Sequence, residues 1–246
     1  MFSIFNKKRN KVFFPFEKLG TDMHSHLVPG IDDGSPDVET SIQLIRGMVD
    51  LGYKKLITTP HVMEDMYRND PESIFTAFRI LEKEMEREKL SVFIKPAAEY
   101  LLDGNVDEIL EKKGLLLTLT GNFVLVEISF VSPPFHLKDV IFELQINGYQ
   151  PILAHPERYS FYHHQPRQYE EIKAMGCLLQ ANLLSFAGYY GSDVMQAAEM
   201  LSKKGLIDLL GTDLHHERHL HHLRELVYTP ALARLVEEKG MLNAEL

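Results

Sequence analysis

Residues 19–61, "LGTDMHSHLVPGIDDGSPDVETSIQLIRGMVDLGYKKLITTPH", hold the pattern on which the whole chain turns. A short apolar run, "LGTDMHSHL", is followed by a polar loop. An amphipathic stretch, "SPDVETSIQLIRGMVDLGY", comes next, and then a second apolar run, "KKLITTPH". The middle stretch predicts a helix with Ser35 as its N-cap, Pro36 in the first turn and an end near Gly52. Strand, helix, strand within about 45 residues is the spacing of a parallel βαβ unit.

The same rhythm continues outward. Further apolar runs are "VFIKPAAEY", "FVLVEISF", "YQPILAHPE", "CLLQANLLSF" and "LIDLLGTDLHH". Between them lie helix-like segments such as "DPESIFTAFRILEKEMEREKL", which sets Ile74, Phe78 and Leu81 on one face. Several of these segments end in glycine just before the next apolar run, as a helix-to-strand turn prefers. Seven strand–helix repeats with no Pro- or Gly-rich linker predict an α/β fold with a parallel sheet closed into one barrel. A doubly wound open sheet gives the same alternation, and period alone does not separate the two.

Position singles out the polar residues. The first run ends in His24 and His26, the second in His61 and the third in Glu99. The fourth carries Glu127, the fifth ends in His155, and the seventh ends in Asp213 and His215. In a parallel barrel the C-terminal strand ends converge on one face, where active sites are built. Side chains two apart on a strand point the same way, so His24 and His26 can reach one ion, and Asp213 and His215 repeat the device. Imidazole and carboxylate donors without thiolate suit Mn, Fe or Zn in a cluster of two or three ions, with Glu99 as a possible bridge. A lone His-x-His is weak, and acids at strand ends often cap the next helix. The coincidence of six strand ends carries the reading. His163, His164, His216, His219, His221 and His222 are read as mostly solvated loop residues, and His136 as loop or rim.

The bulk numbers agree with an ordinary soluble domain: 246 residues, 45% hydrophobic and 25% charged. A net charge of −9 argues against nucleic acid as the main partner. Cys177 is the single cysteine, so no intramolecular disulfide is expected, and its setting, "AMGCLLQANL", lacks a phosphate-cradling loop. No apolar run approaches a membrane span. The start, "MFSIFNKKRNKVFFPF", has its basic residues after the apolar ones, the wrong order for a secretory signal. We expect a cytoplasmic protein with a flexible head over residues 1–19 and a single domain over 20–246.

The segments "DMHSHLVPGIDDG", "TTPH", "AAEY", "VEIS", "AHPERY" and "GTDLHH", in that order, resemble the polymerase and histidinol phosphatase (PHP) superfamily. Within it the chain is similar to the manganese-dependent bacterial protein-tyrosine phosphatases of capsule and exopolysaccharide operons. The resemblance implies a distorted seven-stranded β/α, TIM-like barrel and a trinuclear centre. Its ligands would be His24, His26, Asp33, His61, Glu99, Glu127, His155, Asp213 and His215, with Asp32 as the one-residue alternative to Asp33. Arg158 would bind phosphate, and Arg218 is the candidate second arginine. A metal-bound hydroxide would attack phosphorus, with His215 as the candidate proton donor. The implied partner is a phosphotyrosine protein, the tail of a cognate bacterial tyrosine kinase; oligomeric state is not implied. Alternatives are a histidinol-phosphatase-like small-molecule phosphoesterase, a PHP-type exonuclease, which the acidic balance disfavours, and a metal-organised binding module.

Overall fold

The computed structural model describes residues 11–246. Among the described residues are nine short strands, most of them separated by helices. They are β1 (Thr21–Asp22), β2 (Lys55–Thr58), β3 (His61–Val62), β4 (Phe93–Pro96), β5 (Glu99–Leu101), β6 (Phe123–Glu127), β7 (Gln150–Ala154), β8 (Leu178–Asn182) and β9 (Leu209–Gly211). The main helices are α1 (Val38–Leu51), α2 (Pro71–Arg87), α3 (Asn105–Glu111), α4 (Leu137–Ile146), α5 (Pro166–Ala174), α6 (Ser192–Lys203) and α7 (Glu217–Arg224).

All strand pairs are parallel, in two sheets ordered β1-β2-β4 and β3-β5-β6-β7-β8-β9. Nine strands replace the seven expected because the second and third apolar runs each break in two. Pro60 and Pro96 have no N–H to give to a ladder; the chain leaves one sheet at Thr58 and again at Pro96, and enters the other three residues later, at His61 and at Glu99. Backbone bonds nevertheless bridge the breaks, with Ala97 N donating to Thr58 O (2.8 Å) and Glu99 N to Pro60 O (3.1 Å). Beyond β1 and β9, Ser25 and Leu214 form a parallel bridge, flanked by Asp213 N to His24 O (2.8 Å) and His26 N to Leu214 O (2.9 Å).

Helices cover the sheets by the usual spacing rule. On α2, Ile74, Ala77, Phe78, Leu81 and Met85 are buried, a one-sided helical stripe. A smaller inner cluster contains Met23, Ile57, Leu125, Ile152, Ala154 and Leu209. Two residues beyond Leu125, strand alternation puts Glu127 on that same inner face. Three local expectations are corrected. Asp37, not Ser35, caps α1, its carboxylate accepting from Thr40 N at 2.8 Å, while the Ser35 hydroxyl donates to Asp37 O. The histidine-rich "HERHLHHLR" is helix α7 rather than a loop, with His219, Leu220 and Leu223 buried. The head is not free throughout: Phe14, Phe16 and Leu19 are buried in the main core, and Phe14 N donates to Leu226 O (2.9 Å). The apolar weight of "FFPF" exceeds what a solvated terminus tolerates. The remainder of the expected head, residues 1–10, lies outside the described residues.

Candidate active site

All nine candidate ligands come together, seven from strand ends or the loops after them; His61 and Glu99, expected at the ends of their runs, instead open β3 and β5, because each run breaks just before them. They fall into four overlapping groups: His26, Asp33, His61 and His215; His24, His26 and Asp213; His24, Glu99 and His155; His61, Glu99 and Glu127. In each group, one donor atom from every residue lies within 4.8 Å of the others. Glu99 is the hub. Its Oε2 lies 3.1 Å from His24 Nε2, 3.4 Å from His26 Nε2 and 3.2 Å from His61 Nδ1, and its Oε1 lies 3.1 Å from His155 Nε2. Between the two adjacent candidates, Asp33 faces the group, with Oδ1 3.5 Å from both His61 Nε2 and His215 Nε2. Asp32 is buried behind it and accepts from His61 N (3.1 Å) and Gly34 N (2.9 Å).

Gly34 explains the "DDG" motif. A Cβ there would sit 2.4 Å from both the Cβ and the carbonyl oxygen of His26. Gly34→Ala is therefore expected to cost about 1–3 kcal/mol by overpacking, read as a lower urea midpoint, together with weaker metal retention. Two further backbone positions are strained: His155 at φ 36° and Asp213 at φ 52° are left-handed non-glycine residues. At both, the chain leaves a strand and turns its side chain onto the group.

Outer hydrogen bonds fix the tautomers. His24 Nδ1 pairs with Gln180 Oε1 (2.8 Å), His26 Nδ1 with Asp32 Oδ2 (2.8 Å) and His215 Nδ1 with the Asp213 carbonyl (2.9 Å). Each Nδ1–H donates outward, so each Nε2 turns a lone pair inward, as metal-binding imidazoles require. Sequence reasoning missed Gln180 and Asn182, which come from β8, the one apolar run without a candidate ligand. Gln180 Nε2 donates to Asn182 Oδ1 (2.9 Å), and Asn182 Nδ2 donates to Asp213 Oδ2 (2.7 Å). Their signal was present as two polar residues at alternate positions in an otherwise apolar strand.

Electrostatics show what the group lacks. Burial pushes the His24 imidazole down, but Glu99 and Asp213 outweigh it and lift it to about 9. His61 is likewise carried to about 10 against burial, chiefly by Glu99. A hydrogen bond from His215 draws Asp33 down to about 2, whereas burial beside Glu99 raises Glu127. Four carboxylates meet five imidazoles, and the nearby permanent cation is Arg158, whose Nη1 donates to Asp213 Oδ2 at 2.8 Å. His155 Nδ1 is buried without a hydrogen-bond partner among the described residues, and His61 Nδ1 and Glu127 Oε1 are buried 3.0 Å apart in a contact not aligned as a hydrogen bond. Divalent cations would supply that charge and take up inward lone pairs, so the residues present fit a multinuclear centre.

The group opens into a cavity of about 390 Å³ whose lining includes Asp33, Glu127, His155, Asp213, Arg158 and Tyr190. The Arg158 guanidinium lies between aromatic faces, 4.8 Å from the Phe130 ring centre and 4.5 Å from that of Tyr190. Arg218 is not brought to the cavity. It is exposed on α7, over the Tyr189 ring at 5.6 Å, because its helical position points outward. His216 and His219 do line the cavity, so the histidine-rich segment contributes more than expected. His163 and His164 border a separate surface cavity, and His136 lies 3.3 Å from Asp107. His215 is poorly placed as a proton donor: Nδ1–H is tied to a carbonyl and Nε2 faces Asp33. Cys177 is buried outside the site, and burial pushes its thiol up to about 12, which removes it as a nucleophile.

Fold and site together define an α/β protein with parallel sheets whose strand ends build a His/carboxylate centre fitted to several divalent ions. The chain belongs to the family described as "Capsular polysaccharide synthesis, CpsB/CapC", which matches residues 20–227. It is 29% identical over 208 residues to the tyrosine-protein phosphatase YwqE of Bacillus subtilis, covering 84% of this chain and 82% of the relative. It is 26% identical over 203 residues to the tyrosine-protein phosphatase CpsB of Streptococcus pneumoniae, covering 79% and 82%. Among solved structures, one described as "Crystal structures of YwqE from Bacillus subtilis and CpsB from Streptococcus pneumoniae, unique metal-dependent tyrosine phosphatases" matches with a TM-score of 0.79 and 29% identity, over 92% of this chain and 90% of that one.

Proposed function

We propose that this chain is a metal-dependent protein-tyrosine phosphatase whose ions are held by His24, His26, Asp33, His61, Glu99, Glu127, His155, Asp213 and His215. The observation that carries the reading is the convergence of these nine side chains and Arg158 on one cavity, in a member of a family with relatives named as tyrosine phosphatases. We take the seven apolar runs to form one distorted barrel, with the Ser25–Leu214 bridge at its seam. Manganese, in two or three copies, is the proposed metal, since the donors are nitrogen and oxygen only.

Divalent ions in such a centre lower the pKa of water towards about 7 and offset charge on phosphoryl oxygens. The protein's own contribution is positioning. Arg158 meets the equatorial phosphoryl oxygens through a planar fork that its aromatic neighbours hold in place. Asp32, Gln180 and Asn182 keep the imidazoles and Asp213 in register. A tyrosyl oxygen leaves as a phenolate with conjugate-acid pKa about 10, so it needs little acid assistance, which matches the absence of an unengaged donor on His215.

The proposed substrate is the phosphotyrosine-bearing tail of a cognate kinase, met in the cytoplasm. No helix among the described residues is long and apolar enough to cross a membrane. The test is phosphate release from a phosphotyrosyl peptide and from histidinol phosphate, with Mn and with chelator. Mn-dependent turnover favouring the peptide is expected. Preference for histidinol phosphate, or inertness of fully metal-loaded protein towards both, overturns the reading. Cys177→Ala is expected to leave turnover per bound metal unchanged, and loss of activity with metal retained would restore a thiol mechanism.

A further inference from the structure

The floor of the cavity is charged, but its rim is not. Met63, Met66 and Tyr67, from the segment between β3 and α2, line one side, and Phe130, just beyond β6, lines another. Met66 is 69% exposed and Phe130 46% exposed, a large apolar outlay beside nine ionisable ligands. The two sides are built alike. The Tyr67 ring stacks on His61 at 5.7 Å and 13°, and the Phe130 ring stacks on His155 at 5.7 Å and 19°. His61 and His155 reach opposite oxygens of Glu127, Oε1 at 3.0 Å and Oε2 at 3.9 Å. The two rings therefore flank the cavity above Glu127, each carried on a different ligand imidazole.

The Met63–Tyr67 segment is preformed. Met63 and Tyr67 exchange both backbone bonds (2.9 and 3.2 Å), and the Asn69 side chain donates to His61 O and Ile31 O. A phosphate group needs none of this apolar surface, whereas a flat ring leaving from above Glu127 would meet an aromatic face or a thioether on either side.

We propose that Met66, Tyr67 and Phe130 form an aryl subsite that selects phosphate esters of phenols over those of alkyl alcohols. This deepens the phosphatase reading, because it assigns the choice of tyrosine to three rim residues rather than to the ion centre.

The test is calorimetric binding of phenylphosphonate and methylphosphonate to the Mn-loaded protein, which needs no turnover. The unaltered protein is expected to bind the phenyl compound about tenfold more tightly or better. Met66→Ala and Phe130→Ala should each shrink that ratio, and Phe130→Tyr, which keeps the ring, should preserve it. Met66 is 69% exposed and is not itself a proposed ligand, so its variant separates rim from centre. Equal binding of both compounds by the unaltered protein overturns the subsite, as does a Met66→Ala variant that weakens both compounds alike; Phe130 also lies under Arg158, so for Phe130→Ala only the ratio of the two affinities is read. A phenyl preference in a protein inert to phosphotyrosyl peptide would leave the subsite standing and sink the phosphatase reading; turnover without the preference would do the reverse.

Discussion

Replacing Asp213 with asparagine is expected to lower kcat/KM on a phosphotyrosyl peptide by on the order of 10³-fold and to reduce bound metal. One carboxylate serves both halves of the site. Its Oδ1 lies 3.4 Å from His24 Nε2 and 3.6 Å from His26 Nε2, and its Oδ2 accepts from Arg158 at 2.8 Å and Asn182 at 2.7 Å. Burial alone would raise this carboxyl, yet His24, His215 and Arg158 hold it well below the ordinary range, so it is ionised throughout neutral pH. Asparagine keeps the shape, loses the charge and presents an N–H₂ where an acceptor is needed. It also tolerates the left-handed backbone at this position, so the backbone adds no strain of its own. Steady-state rates and elemental analysis on one preparation check the result. Unaltered activity would remove Asp213 from the centre.

Arg158→Ala should lower kcat by about 10²–10³-fold, the usual cost of removing one donor to developing charge, while the ions remain bound. Arg158→Lys should recover little of it. The guanidinium carbon lies over both the Phe130 and Tyr190 rings while Nη1 donates to Asp213, a set of contacts that a point-like ammonium does not reproduce. Tyr190→Phe keeps the stacking face and should keep activity, whereas Tyr190→Leu should lower kcat more than it raises KM. Loss of metal in Arg158→Ala, in parallel with activity, would instead make Arg158 a support for Asp213.

Much of the candidate site is legible in the sequence because its residues sit at regular places. Glu127 ends β6 and His24 and His26 follow β1, while His61 and Glu99 open β3 and β5 just past the two sheet breaks, still inside the apolar runs that marked them. What escaped were residues whose role depends on a partner far along the chain. Gln180 and Asn182 orient His24 and Asp213 across more than 30 residues of sequence. Arg218 fails for a related reason: proximity to His215 in sequence suggested the cavity, and a helical turn sent it outward over Tyr189.

The sequence by itself determined the strand–helix rhythm, the residue types able to bind metal and the apolar runs that carry them, because these depend on local period and local chemistry. Only the tertiary structure decided that the prolines split two runs between sheets, that Phe14 and Phe16 close onto the core, and that Asp33 faces the cavity while Asp32 holds His26 from behind. Adjacent aspartates have the same chemistry. Gly34, pressed against His26, fixes the loop that turns one of them in and the other back.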